Sequence, residues 1–74
     1  MKFQELDVVE LLTDLPEGRL VAGAQGTIHQ CVSGDTPKYL IEFVTEDEEG
    51  YPIMALVQED QLKLIWSSDT RSYV

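Results

Sequence analysis

The chain has 74 residues, 43% of them hydrophobic and 26% charged, which is enough for one small core and excludes a multi-domain machine. Fourteen acidic residues against five basic ones give a net charge of -9, which repels phosphate backbones and anionic lipid surfaces and favours cationic partners. No apolar run approaches the roughly 20 residues that span a bilayer, and Cys31, as the only cysteine, excludes an internal disulfide.

Residues 1–10 carry Glu5, Asp7 and Glu10 where a signal peptide needs an apolar centre, so they read as mature protein, and a reducing cytoplasm is the expected location. Residues 6–13 (LDVVELLT) predict a strand with Leu6, Val8 and Leu12 on one face and Val9 and Leu11 on the other. A helix through Phe3, Leu6, Val9 and Leu12 is the competing pattern. The turn at residues 14–18 (DLPEG) cuts it short, because Pro16 biases Leu15 away from helical angles, which leaves at most a helical turn at residues 3–6. Residues 26–32 (GTIHQCV), bounded by AGAQ before and SGDTP after, predict a second strand. In the third, residues 39–44 (YLIEFV), Tyr39, Ile41 and Phe43 alternate against Leu40, Glu42 and Val44. The acids of residues 46–49 with Gly50 make a turn into a fourth strand, residues 51–57 (YPIMALV), where Pro52 fits only at the start or on an edge. Residues 58–61 (QEDQ) predict one helical turn, residues 62–66 (LKLIW) a last strand, and residues 67–74 a polar tail that frays.

Five short strands, a long first connection and one helical turn before the last strand are the element order of SH3-like barrels. The expectation is therefore an all-β fold, a small five-stranded SH3-like barrel forming a single domain over residues 1–66. Its expected core is Val8, Leu12, Ile28, Ile41, Phe43, Met54, Leu56 and Leu64. Curling the sheet hides most edges, and any edge left open would permit a homodimer by strand pairing.

The run DVVELL with DLP at residues 7–16, then Ala22-Gly23 and Gly26-Thr27-Ile28, then YLIEFV and Asp60-Gln61-Leu62, resembles an uncharacterised family of short bacterial proteins. That family is catalogued as a domain of unknown function, and the resemblance covers about residues 6–65. The Gly-x-x-Gly-Thr-Ile step is also similar to the glycine-centred core of the KOW motif of ribosomal and transcription proteins, although the basic residues that KOW domains use on RNA are missing.

Read chemically, Gly23 and Gly26 flank a tight turn where a missing Cβ permits positive φ or the close approach of another strand. A phosphate loop would need more glycines, a following helix and usually a Lys. His29 and Cys31, two apart on a strand, are expected on one face. With no second His or Cys in the chain they are too few for zinc, so no metal and no cofactor is expected. The contiguous acids Glu46, Asp47, Glu48 and Glu49 diverge, unlike the alternating ligands of a calcium loop. They read either as a solvated turn or, with Tyr51, as a contact surface for a basic partner. Ser33 and Cys31 have only His29 as a base and no orienting third group, and so small a domain has little room for a shielded pocket, so the chain is not expected to be an enzyme.

The expected function is a small acidic protein-interaction module, such as a neutralising partner of antitoxin or immunity type that covers a basic protein. One alternative is an accessory subunit of a larger enzyme, contacting its parent through Tyr51, Met54 or Trp66. The other is a KOW-like nucleic-acid module, against which Lys2, Arg19, Lys38, Lys63 and Arg71 are scattered rather than clustered.

Overall fold

Tyr39, Ile41 and Phe43 alternate along one strand and are all buried, and this row organises the rest of the chain. The computed structural model describes residues 1–74. They form β1 (Val8–Leu11), β2 (Gln25–Val32), β3 (Lys38–Glu46), β4 (Pro52–Gln58), β5 (Leu62–Ser67) and β6 (Ser72–Tyr73), with 3₁₀ turns at Pro16–Gly18 and Glu59–Gln61. Every pairing is antiparallel, in a single sheet of order β4-β3-β2-β1-β5-β6.

The all-β class is as expected, but the closed five-stranded barrel is corrected: β4 and β6 are the two edges of an open six-stranded sheet. Two segments outside the sheet cover its buried face instead. Phe3 comes from the N-terminal strap and Leu20 from the loop between β1 and β2, and both belong to the core. The Pro16–Gly18 turn of that loop also packs against β4. The tail does not simply fray, because β6 pairs with β5 through Trp66–Tyr73 and Ser67–Ser72.

Cross-strand partners share a face of the sheet, and this corrects half of the expected core. Tyr39 lies opposite Val57 and Ile41 opposite Ala55, so the odd-numbered residues of β4 turn inward. Met54 and Leu56 are consequently 44% and 53% exposed. In β1 the buried residues are Val9 and Leu11, whereas Val8 is half-buried and Leu12 is exposed. Ile28, Ile41 and Phe43 are buried as expected, and Leu64 packs half-buried beside them.

Both glycines of the second turn have a structural cause. Gly23 adopts φ 95° and donates its N–H to the Leu11 carbonyl at 2.8 Å. At Gly26 a Cβ would sit 2.6 Å from Ile41 Cγ2 and 2.7 Å from the Glu42 carbonyl oxygen, so only glycine lets β3 pass this close.

The strap is held by polar contacts at both ends. Phe3 packs edge-on to Tyr39, with ring centroids 5.4 Å apart. The Tyr39 hydroxyl accepts from the Phe3 N–H at 3.1 Å and donates to Glu59 Oε2 at 2.5 Å, and the same carboxylate accepts from the Lys2 N–H at 2.9 Å. Burial first, and the hydrogen bond to Glu59 second, raise the Tyr39 phenol above its ordinary pKa. Donation from Tyr39, then from the Lys2 N–H, holds the Glu59 carboxyl below the usual range. Where the strap turns into β1, Asp7 is 3% exposed yet fully partnered. Its Oδ2 accepts from the Gln4 N–H at 3.0 Å, and its Oδ1 faces Ser68 beyond the end of β5.

Candidate functional site

The acid turn joins β3 to β4, and its four carboxylates do different things. Asp47 builds the turn: its Oδ1 accepts from the Glu49 N–H at 2.9 Å and from the Tyr51 N–H at 3.0 Å. Its own N–H donates to the Tyr51 carbonyl at 2.8 Å, and Gly50, at φ 87°, completes the reversal. Glu48 accepts from Arg19 Nη1 at 3.0 Å, a pair so exposed that it contributes about 0–1 kcal/mol. Glu46 and Glu49 have no cation within 4.0 Å, and Tyr51 beside them is 65% exposed. The hairpin therefore gathers all five expected contact residues at one tip, with Asp47 committed to the turn.

His29 and Cys31 do not share a face, which corrects the expected arrangement. The β2–β3 register shifts between Ile28 and Gln30, so His29 is the extra residue of a bulge and the alternation reverses beyond it. His29 points outward, with Nε2 3.6 Å from Glu42 Oε1. Cys31 packs against the core with Sγ 3.8 Å from the Phe3 carbonyl oxygen. Burial, reinforced by the charges of Glu5 and Asp7, raises the pKa of its thiol, which disfavours the nucleophilic thiolate. No three His, Cys, Asp or Glu side chains gather where a cation could be held. No helix is long and apolar enough to cross a membrane.

Lys2 lines all three surface grooves, which surround the strap. The largest, about 470 Å³, runs between Phe3, Leu12, Leu62 and Leu64, with Lys2 and Lys63 beside it. The five basic residues are spread over strap, loop, β3, β5 and tail.

Residues 5–64 match the model of a family described as Domain of unknown function (DUF4926). The chain belongs to this family. No curated protein and no solved structure matches the chain. The DUF4926 match runs from the strap through β1–β4 into β5, so it contains the acid hairpin and the Gly23–Gly26 step and stops before Ser68 and β6.

The feature that sequence reasoning missed within this DUF4926 domain is the outer face of β3 and β4. Leu40 lies opposite Leu56 there, and Glu42 lies opposite Met54. Met54 and Leu56 are visible in sequence as apolar. Only the cross-strand register shows that they face away from the core.

Proposed function

We propose that the chain is a small acidic protein-interaction module that binds a basic protein, in the manner of a neutralising partner of antitoxin or immunity type. The observation that carries this reading is the hairpin tip, where Glu46 and Glu49 stand exposed without a cation partner on a chain of net charge -9. Such a surface accelerates encounter with a cationic partner, and the acceleration weakens as salt screens it. The test is recovery of partners from the native cell on the tagged chain, washed at low and high salt and identified by mass spectrometry. A basic protein held at low salt, released at high salt, and lost when Glu46, Glu48 and Glu49 are replaced by Gln supports the proposal. Recovery that ignores both salt and the replacements sinks it.

A second reading, an accessory subunit of a larger enzyme, draws support from exposed Tyr51, Met54 and Leu56 on the same hairpin. Under that reading the recovered partner is an enzyme whose activity depends on this chain, whereas under the first reading the chain suppresses what its partner does.

A further inference from the structure

The outer face of the sheet carries an apolar track. Pairing sets Gln30, Leu40 and Leu56 in one row across β2, β3 and β4, and Val32, Lys38 and Gln58 in the next, while Met54 sits beside Glu42 on the opposite side. Val32, Leu40 and Met54 thus lie on a diagonal across three strands with Leu56 directly beside Leu40, and all but half-buried Leu40 are exposed. With strands ~4.8 Å apart and ~3.4 Å of rise per residue, the track is about 16 Å long. That is the length of about 11 residues of α-helix. Its Met54 end runs toward the hairpin tip, where Glu46 and Glu49 have no cation within 4.0 Å and Glu48 is paired with Arg19. At its Val32 end, Asp35 and Asp60 line a groove together with Lys2 and with Glu59, whose carboxylate is already held by Tyr39 and the Lys2 N–H.

We propose that this face docks an amphipathic α-helix of the partner, whose apolar stripe lies along Val32, Leu40, Leu56 and Met54 and whose Lys or Arg residues reach Glu42 and the acids at either end. The proposal rests on the reading of the chain as a module for a basic protein and names where and what that module binds. Charge selects the occupant: Glu46 and Glu49 at one end and Asp35 and Asp60 at the other have no cation within 4.0 Å, and Lys38 is the one Lys or Arg on β2–β4, so the track fits an apolar stripe flanked by cations. A second copy fits neither requirement: it carries 3₁₀ turns but no α-helix, and it would bring -9 against -9.

The test uses the whole chain and one probe, an acetylated and amidated helix of about 18 residues made of Leu at i, i+3, i+4 and i+7 with Lys elsewhere. Titration is followed by calorimetry and by amide chemical shifts. The expected result is one-to-one binding with shifts concentrated at Val32, Leu40, Glu42, Met54 and Leu56. The paired replacement Met54→Ser with Leu56→Ser should weaken binding roughly tenfold or more, and Val21→Ser, an exposed apolar residue in the β1–β2 loop, should not. Circular dichroism confirms that each variant is folded. If the paired replacement leaves affinity within about twofold while Gln at positions 46, 48 and 49 weakens it, the acid tip binds and the docking face is wrong. If the helix fails to bind at about 1 mM, the docking face is wrong, whereas the reading as a module for a basic protein falls only if salt-dependent recovery of a basic partner fails. A dimer of the chain that the helix does not dissociate overturns the docking face alone.

Discussion

Asp7 and Ser68 lie 61 positions apart in sequence and are joined by two contacts of 2.8 Å, from the Ser68 N–H and the Ser68 hydroxyl to Asp7 Oδ1. With the Gln4 N–H on its other oxygen, this one carboxylate ties the strap to the far end of β5. Asp7→Ala is expected to cost about 2–3 kcal/mol, because the Gln4 and Ser68 N–H groups and the Ser68 hydroxyl, all part-buried, lose their acceptor together. Ser68→Ala should cost about 1 kcal/mol, since its N–H still reaches Asp7. Urea unfolding of both variants and of the double variant measures the coupling, and strictly additive losses would show that the contact contributes nothing.

Gly26→Ala is expected to destabilise by about 1–3 kcal/mol or more, because the new methyl meets the Glu42 carbonyl and the Phe43 Cα, which are backbone atoms that cannot swing aside. Gly23→Ala meets no atom within 4 Å and carries only the cost of its φ of 95°. A melting temperature for Gly26→Ala at or above that of Gly23→Ala would contradict the close strand approach.

The clasp of Tyr39 and Glu59 makes stability depend on pH at both extremes. Glu59 is held below its ordinary pKa, so its contribution is present above about pH 4.3 and is lost as pH falls through the lowered folded value. Tyr39 is raised above its ordinary pKa, so its contribution is complete below about pH 10 and is lost as pH rises through the raised folded value. Tyr39→Phe should lower stability by about 1–3 kcal/mol near neutrality, because the buried Phe3 N–H loses its acceptor. The same variant should flatten both limbs in denaturant titrations across pH. Limbs that keep their parental steepness would place the titration elsewhere.

Phe43→Ala should cost about 3–5 kcal/mol from a site 1% exposed, and Met54→Ala and Leu56→Ala well under 1 kcal/mol each. Thermal melts decide between them. Comparable losses at Met54 and Phe43 would put β4 in the opposite register.

The third strand was legible because Tyr39, Ile41 and Phe43 alternate against Glu42, and the glycine step because no other residue fits its geometry. The facing of β1 and β4 was not. Leu6, Val8 and Leu12 compete with Val9 and Leu11 at similar hydrophobicity, and small Ala55 hides among larger Met54 and Leu56. A sheet decides such cases by pairing, which places Ala55 opposite Ile41. The bulge at His29 was equally hidden, since one extra residue leaves no mark in a seven-residue segment where polar His29 and Gln30 stand side by side. The acid tip was readable as a cluster. That Asp47 closes the turn while Glu46 and Glu49 remain free required the hydrogen bonds themselves.

β1 is an interior strand whose two neighbours are made at very different times. It pairs with β2, which begins at Gln25, and with β5, which begins at Leu62. At ~5–20 residues per second, the ribosome leaves one side of β1 open for about 3–11 s after Val8 is synthesised. During that interval Val9 and Leu11 lack their β5 partners, and Asp7 still awaits Ser68. The hairpins β2–β3 and β3–β4 can close locally in the meantime. The nascent chain thus carries a temporary sticky edge, which is capped only when β5 arrives.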